Sequence, residues 1–280
     1  MKDIVVIGSV NLDLSAAVAR LPAPGETVTD AVLERFPGGK GANQALAARR
    51  LGANVKLIAC VGNDANATEA LALLHDAGVD LSQVVIDDEF ATGVALISVS
   101  ENGENQIVVA PGGNACLSRD RFELPLADAL ICQLEVPRET ITAAAVEFGA
   151  FVCINLAPAR DVDDALLARA DLIVVNQTEA EYYGDKLLKC NGFVATTFGA
   201  KGAELRKNGA FVTRVSPPAV GVVDTTGAGD CFSAALTLAM IEGQPVDYAL
   251  SFACAAGAAA TTKRGAQPSL PTRAEVDALL

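Results

Sequence analysis

The densest group of residues that could do chemistry is the segment 224–230, DTTGAGD, which precedes a helical pattern. Gly227 and Gly229 allow a tight turn whose N–H groups point outward at the start of a helix, where the helix dipole favours an anion. Together with Ala228 they predict an anion hole. Asp230 has two interpretations: it caps the helix, as Asp often does, or it is a general base beside a bound phosphate.

A second glycine cluster, Gly38-Gly39-Lys40-Gly41-Ala42-Asn43, opens a helix that ends near Leu51. Backbone amides and the Lys40 cation converge at this helix start, which favours a polar or anionic ligand. The alternative is an ordinary turn with an Asn cap and a solvated lysine, because glycine-rich turns are common punctuation.

Polar residues also follow several apolar runs that have the length of buried strands. They are Asn11 and Asp13, Glu135, Asn176 with Glu179, and the glycine loop Thr197–Gly202. Open α/β sheets bind ligands at the carboxyl ends of their strands. Each of these residues could be a turn former, but four such strand ends together predict one binding edge.

The elements that position these residues alternate along the chain. Strands are predicted at Ile4–Ile7, Val55–Val61, Ala129–Leu134, Phe151–Asn155, Leu172–Val175, Phe193–Thr197 and Phe211–Val215. Amphipathic segments lie between them, and two helices, Asp230–Ile241 and Val246–Thr262, follow. This alternation is typical of an α/β fold with a doubly wound, mostly parallel sheet flanked by helices. We expect residues 1–280 to form one such domain.

Two stretches interrupt the alternation. Thr27–Arg35 is strand-like, and Gly93–Ser100 is predicted to pair with Gln106–Ala110 across an Asn-Gly turn at 101–104. Because no helix covers them, they predict a small antiparallel sheet formed from about residues 14–36 and 91–110. Such a sheet is either a lid over the site or an edge hairpin without function.

The composition excludes several classes of protein. The formal charge of −13 argues against binding to a phosphate backbone. The seven cysteines form no CxxC pair, which argues against a cysteine metal site and fits a reducing cytoplasm. No apolar run has transmembrane length, so we expect no membrane partner.

Taken together, these segments resemble the ribokinase family of carbohydrate kinases, also called the PfkB family. Residues 224–230 match the family's DTxGAGD signature, and the resemblance runs from about Ile4 to the C-terminal helix. Four further segments resemble the ribose-phosphorylating members: Pro24–Val28, Gly39–Ala45, Gln133–Glu135 and Gly265–Ser269.

The resemblance implies ATP-dependent phosphorylation of a sugar hydroxyl, with D-ribose at O5 as the expected substrate. Asp230 would be the base, and the amides of Gly227, Ala228 and Gly229 would hold the transferred phosphoryl group. The implied sugar-binding residues are Asn11, Asp13, Gly39, Lys40, Gly41, Asn43, Glu135 and Asp230. Deoxyribose, fructose or a nucleoside is the alternative substrate, and a catalytically weak sugar- or nucleotide-binding sensor is the alternative function.

The implied nucleotide site consists of Asn176, Thr197, Gly199, Ala200, Lys201, Gly202, Gly229 and Cys254. Glu179 would hold Mg²⁺ through water. A monovalent cation, K⁺, would bind Asp224, Thr226, Ala260, Lys263, Gly265 and Ser269. The predicted lid strands carry apolar residues on both faces, so we expect a homodimer that forms through the lid.

Two features depart from the family pattern. Residues 182–192 are shorter than a covering crossover helix normally requires, which predicts a flank that is exposed or paired differently. Cys254 replaces the His or Asn often found beside the adenine, so the affinity for the nucleotide is in question.

Overall fold

Apolar runs rich in Val, Ile and Leu form the strands of a large central sheet. The computed structural model describes residues 1–102 and 104–280. The strands in these residues are β1 (Asp3–Ile7), β2 (Asn11–Val18), β3 (Val32–Gly38), β4 (Asn54–Gly62), β5 (Asp80–Asp87), β6 (Gly93–Ser100), β7 (Asn105–Ala110), β8 (Ala129–Gln133), β9 (Phe151–Asn155), β10 (Leu172–Asn176), β11 (Phe193–Thr197), β12 (Ala203–Lys207) and β13 (Ala210–Val215).

Helices cover both faces of this sheet. Those in the described residues are α1 (Lys40–Arg50), α2 (Ala65–Asp76), α3 (Arg138–Glu147), α4 (Asp164–Arg169), α5 (Gln177–Tyr183), α6 (Ala228–Ile241), α7 (Val246–Ala259), α8 (Ala266–Ser269) and α9 (Arg273–Asp277). Within the described ranges, no helix is both long and apolar enough to cross a membrane.

The central sheet has the order β13-β12-β11-β10-β9-β8-β1-β4-β5 and is parallel from β11 to β5. Alternate residues of β1 face two separate apolar cores. Ile4 and Val6 pack towards α1, α2, α6 and α7, whereas Val5 and Ile7 pack towards α3 and α4. The predicted α/β fold, with a mostly parallel sheet between helices and a separate small sheet, is confirmed.

The small sheet has the order β3-β2-β6-β7. The pairs β2/β3 and β6/β7 are antiparallel, but β2 and β6 are parallel, so the prediction of an antiparallel sheet was wrong for this pair. The cause is topological. β2 follows β1 and β6 follows β5, and β1 and β5 run in the same direction, so both hairpins leave the same sheet edge with their first strands side by side.

Local differences from the predicted elements are small. β3 begins at Val32, five residues later than the predicted strand, and continues to Gly38. Gly103 of the predicted turn lies outside the described residues. Residues 182–192 form the end of α5 and a 3₁₀ turn at Gly184–Lys189, and β10 and β11 pair in parallel on either side of them. Leu187 packs against the core, whereas Leu188 is exposed, so this flank is partly covered.

Candidate active site

The start of α1 lies against the ends of β1 and β8. Glu135, which follows β8, accepts a hydrogen bond from the Ser9 hydroxyl and another from the backbone N–H of Lys40 at 3.2 Å. Ser9 in turn accepts the Ala42 N–H at its carbonyl, at 2.9 Å. Gly41 faces this loop, because a Cβ there would lie 2.6 Å from the Ser9 nitrogen. The second glycine cluster is therefore fixed against the strand ends rather than being a free turn.

Asp230 lies in the first turn of α6 but does not cap it. The N-cap is Gly227, at a left-handed φ of +80°, and no side chain of the described residues caps this helix. The Asp230 carboxylate instead accepts hydrogen bonds from Asn43 Nδ2 at 2.9 Å and from Gln44 Nε2 at 3.0 Å. The capping interpretation is therefore wrong, and the carboxylate is directed across the site towards α1.

Asp230 lies among charges that are only partly balanced. Burial raises the pKa of Asp230, and the nearby Lys40 ammonium lowers it. The negative charge of Asp230, with those of Glu135, Glu179 and Asp13, raises the pKa of Lys40 despite its burial. One cation thus faces several carboxylates, and this arrangement suits a ligand that brings hydrogen-bond donors.

Asp13 lies in β2 of the small sheet, at the edge of the same site. Burial, followed by the negative charges of Glu135 and Asp230, raises the pKa of Asp13 to about 7. The carboxylate is packed over Gly38, where any Cβ would collide with it. Gly39 is also required, since its φ is +89° and a Cβ would lie 2.7 Å from the Asn11 nitrogen. The Gly38–Gly39 pair thus brings the lid and the start of α1 together.

Asn114 is a site residue that the sequence interpretation missed. Its Nδ2 donates to Asn11 Oδ1 at 2.7 Å, and its Oδ1 accepts the Val10 N–H at 2.9 Å. Both asparagines are buried, so Asn114 fixes the orientation of the Asn11 amide. Nothing in the local pattern marks it, because it lies in a glycine-rich 3₁₀ turn more than a hundred residues away in sequence.

The predicted anion hole is present as a turn, but its three amides are not equivalent. The Ala228 N–H donates to the Thr225 carbonyl at 3.2 Å. Within the described residues, the N–H groups of Gly227 and Gly229 have no acceptor, as expected at a helix N-terminus. These two amides are available to an anion beside Asp230.

The predicted nucleotide residues form a second group along the sheet edge. Asn176 caps α5 through a reciprocal pair of hydrogen bonds with Glu179, and it lies opposite Thr197 in the β10–β11 ladder. The loop Gly199–Gly202 lies against Val215 of β13, and the Cys254 thiol is 3.9 Å from the Val215 carbonyl oxygen. Lys201 and Ala200 lie in the 3₁₀ turn between these contacts.

Glu179 fits a hydrated Mg²⁺ better than a metal held by protein ligands alone. One of its oxygens accepts the Asn176 N–H at 2.8 Å, and burial raises its pKa. Among the described residues, no group of three or more His, Cys, Asp or Glu side chains could hold a metal ion. Mg²⁺ commonly keeps several waters and takes one or two carboxylates plus substrate phosphates, so a single carboxylate here suits Mg²⁺ carried by a nucleotide.

Asp224 joins the anion-hole turn to the turn before α8. It accepts hydrogen bonds from the Thr226 N–H and from the Gly265 N–H, each at 2.9 Å. Burial would raise the pKa of Asp224, but these bonds outweigh burial and hold it below its ordinary value. The N–H groups of Val223 and Asp224 also donate to the Thr261 carbonyl. The segment thus lies beside the end of α7, where Ala260 is the C-cap.

The remaining residues predicted to bind a cation lie on the same side. Ser269 is buried in α8, and Lys263 is exposed in the intervening turn, where its side chain pairs with Glu275. An ionised carboxylate beside the carbonyls at a helix C-terminus suits a large, weakly hydrated cation. The three hydrogen bonds that Asp224 accepts, from the Thr226 N–H, the Thr226 hydroxyl and the Gly265 N–H, equally suit a purely structural tie, so the geometry permits both interpretations.

A cavity of about 580 Å³ separates the small sheet from the body of the protein. Its lining includes Asp13 and Phe36 on the lid side and Asp224, Thr226 and Gly265 on the body side. Asp13 of the predicted sugar residues thus borders the same space as Thr226 and Gly265 of the predicted cation residues.

Comparison with known proteins identifies what this arrangement is similar to. Residues 1–273 match the model of the pfkB family carbohydrate kinases. A ribokinase from Haemophilus influenzae is 37% identical over 98% of this chain and 97% of its own length. A ribokinase from Thermotoga maritima has a TM-score of 0.91 at 31% identity and covers 100% of this chain and 99% of its own. An Arabidopsis thaliana ribokinase in complex with ribose and ATP has a TM-score of 0.87 at 29% identity, covering 99% and 98%.

Proposed function

Because the chain belongs to the pfkB family of carbohydrate kinases, we propose that it transfers the γ-phosphoryl group of ATP to the O5 hydroxyl of D-ribose. Membership makes it a sugar kinase, and the ribokinases among its relatives favour ribose. One observation carries the proposal. Asp230 is buried, is not used as a cap, and lies next to free amides at a helix N-terminus and next to the sugar-side residues of α1.

In the proposed reaction, Asp230 removes the proton from the attacking hydroxyl as the oxygen forms its bond to the γ-phosphorus. The bond from that phosphorus to the bridging oxygen breaks, and ADP leaves with the electron pair. The amides of Gly227 and Gly229, with Ala228 if it releases Thr225, stabilise the charge on the transferred group. Mg²⁺ bound to the nucleotide neutralises phosphate charge when present.

The sugar would lie between the lid and α1. Asn11, Asp13 and Glu135 offer acceptors, while Lys40 and the amides near Gly39 and Gly41 offer donors. Asn43 supports this arrangement directly, because its Oδ1 is buried and has no hydrogen-bond partner in the described residues. A buried acceptor without a partner is costly, and a sugar hydroxyl would satisfy it.

The nucleotide would lie along the other half of the edge. Asn176 and Glu179 would organise its phosphates and Mg²⁺ waters, while Thr197 and the loop Gly199–Gly202 would line the adenosine. Cys254 would border the base, and its thiol remains protonated, because burial raises its pKa to about 11. A neutral, polarizable thiol gives packing contact there but only a weak hydrogen bond.

K⁺ would neutralise Asp224, with Thr226, Ala260, Lys263, Gly265 and Ser269 contributing oxygens. Such an ion would stiffen the anion-hole turn without touching the sugar. A homodimer through the lids would cover the apolar side chains that β3 and β7 expose, among them Val32, Leu33 and Val108 at 64%, 62% and 65%. The seven free cysteines fit a reducing cytoplasm.

A panel of sugars with ATP and Mg²⁺ tests the substrate. ADP release should be fastest with D-ribose, and the phosphorylated product should be ribose 5-phosphate. Faster release with deoxyribose, fructose or a nucleoside would replace ribose, and absence of sugar-dependent release would favour a binding sensor.

The base is tested by Asp230→Asn, which keeps the shape of the side chain. We expect folding to survive and turnover to fall by about 10²–10⁴-fold, as is typical when a general base is lost. Near-normal turnover in this variant would remove Asp230 from the chemistry.

A further inference from the structure

A chain of buried side-chain amides reaches Asp230 from inside the protein. Gln133 Nε2 donates to Gln44 Oε1 at 2.6 Å, and Gln44 Nε2 donates to Asp230 Oδ1 at 3.0 Å and to Asn155 Oδ1 at 3.2 Å. Asn155 Nδ2 donates to the Val174 carbonyl at 3.2 Å. All three amide residues are buried, and they come from α1, β8 and β9.

These contacts leave Gln44 only one orientation. A primary amide has two N–H protons and one carbonyl oxygen. Both protons of Gln44 meet acceptors, and its oxygen meets a donor from Gln133. Rotating the amide by half a turn would place its oxygen against Asp230 and Asn155. Two buried acceptor pairs would then face each other, which is costly.

The arrangement is built into the backbone as well. Gln133 lies where a Cβ on Gly8 would collide with its amide, so glycine at position 8 leaves room for the amide chain. Gln133 and Asn155 lie side by side in the β8–β9 register, at the end of both strands. The sheet therefore fixes the positions of Gln133 and Asn155, the two amide partners of Gln44, independently of Asp230.

We propose that Gln44 is a positioning residue for Asp230, held in its donating orientation by Gln133 and Asn155, and that it fixes the plane of the carboxylate and keeps it ionised. This inference rests on the proposed role of Asp230 as the base. Asn43 and Gln44 hold one oxygen each. These two hydrogen bonds restrain the rotation of the carboxylate, and each oxygen keeps lone pairs that could accept a proton from a hydroxyl.

The surroundings show why such a donor is needed. Asp230 is faced by Lys40 of α1, Asp13 of β2, Glu135 after β8, Glu179 of α5 and its neighbour Cys231. Burial and the nearby carboxylates favour the protonated, catalytically useless form. Lys40, Asn43 and Gln44 oppose them. Removing the Gln44 donor would therefore raise the pKa of Asp230.

The variant Gln44→Met tests this, because it keeps the length of the side chain and removes the donor. We expect the acid limb of the kcat/KM profile to move to higher pH by about one unit, the shift that loss of one hydrogen bond to a charged group produces. Gln133→Met, which only releases the orientation of Gln44, should move the limb in the same direction by less. It also provides a second variant should Gln44→Met fold poorly.

Thr237→Val is the matched control. Thr237 is fully buried on α6, two turns beyond Asp230, and its hydroxyl donates to the Ser233 carbonyl at 2.8 Å. This variant should lower the melting temperature and leave the acid limb in place. If Gln44→Met behaves in the same way, Gln44 is merely structural and the inference is overturned.

A second measurement separates this inference from the proposed function. The ¹³Cγ resonance of Asp230, assigned through Asp230→Asn, reports the titration of the carboxyl without any turnover. If Asp230→Asn retains activity, the proposed base is wrong and the positioning role fails with it, whatever the titration shows. If Asp230→Asn is inactive and Gln44→Met moves neither the limb nor the resonance, only the inference about Gln44 fails.

Discussion

The ionised carboxylate of Asp13 destabilises the folded protein when no ligand is bound. Burial and the charges of Glu135 and Asp230 raise its pKa to about 7 from an ordinary 3.8. No side-chain or backbone group in the described residues donates a hydrogen bond to it. We therefore predict that Asp13→Asn stabilises the free protein near pH 8 and at the same time damages sugar use.

The size of the effect follows from the shift in pKa. The pKa of Asp13 rises from 3.8 to about 7. A difference of one in pKa corresponds to ~1.36 kcal/mol, so the largest destabilisation is roughly 4 kcal/mol. Asp13 is only half-buried. Solvent screening reduces the expected gain to about 1–2 kcal/mol.

The pH dependence has a definite sign. Between about pH 4 and pH 7, the folded protein keeps a proton on Asp13 that the unfolded chain has lost, so the free energy of unfolding falls as the pH rises. Above pH 7 both states are ionised and the full destabilisation is present. The advantage of Asp13→Asn should therefore grow from pH 5 to pH 8 and then level off.

Urea unfolding at pH 5, 7 and 8 measures this advantage, with the exposed Asp30→Asn variant as a control that should show none. Steady-state assays on Asp13→Asn should give a sugar KM raised about 10- to 100-fold, the effect of losing charged hydrogen bonds, with the KM for ATP little changed. A variant that is less stable than the parent at pH 8, or an advantage independent of pH, would refute the electrostatic reasoning. Equal losses for both substrates would remove Asp13 from the sugar pocket.

Three further predictions concern the surroundings of the site. Replacing K⁺ and NH₄⁺ by Tris or tetramethylammonium should lower kcat more than it changes the sugar KM. The Asp224→Asn variant should not respond to this replacement. Undiminished turnover of the parent without K⁺ and NH₄⁺ would contradict a cation site. Sedimentation at micromolar concentration should show a dimer that Val108→Glu dissociates, since Val108 is 65% exposed on the lid; a monomeric parent would contradict it. Asn114→Ala should raise the sugar KM and leave the KM for ATP unchanged, because it releases the Asn11 amide; equal changes would place Asn114 outside the sugar pocket.

The main sheet could be predicted because its strands are buried on both faces. Phe151–Asn155 and Phe193–Thr197 occur with the predicted bounds, and β8 is apolar except at its last residue. Such short, continuous apolar runs are typical of fully buried strands, and here helical segments separate them. β12, which lies between β11 and the edge strand β13, lacked this signal. Its Glu204, Arg206 and Lys207 belong to a half-exposed antiparallel strand, which resembles a loop in composition.

The lid could be predicted as a unit but not in its pairing. β2 has a weak apolar pattern and follows β1 after only three residues, so Asn11 and Asp13 could be interpreted as turn residues. Their strand conformation comes from β3 and β6 on either side. β6 is distant from β2 in sequence, and no local pattern predicts that β2 lies between β3 and β6.

The role of Asp230 could not be decided from its segment, since a cap and a base need the same residue type at a helix start. The structure excludes the cap through Gly227, whose left-handed backbone takes the cap position three residues earlier. When a glycine three residues earlier is the cap, an Asp in this position is free to face another element. The contacts of Asp230 with α1 show that it does so here.

A usable signal for the missed partners was nevertheless present in the sequence. Gln133 interrupts the otherwise apolar run Ala129–Leu134, and Gln44 lies in an Ala-rich helix where its neighbours are buried. A glutamine in such a place is buried with them, and buried amides almost always find hydrogen-bond partners. Two glutamines in buried elements whose ends meet at one sheet edge therefore imply a polar cluster there. The identity of that cluster, an amide chain ending on a carboxylate, follows only when the register of β8 and β9 and the entry of α1 are known.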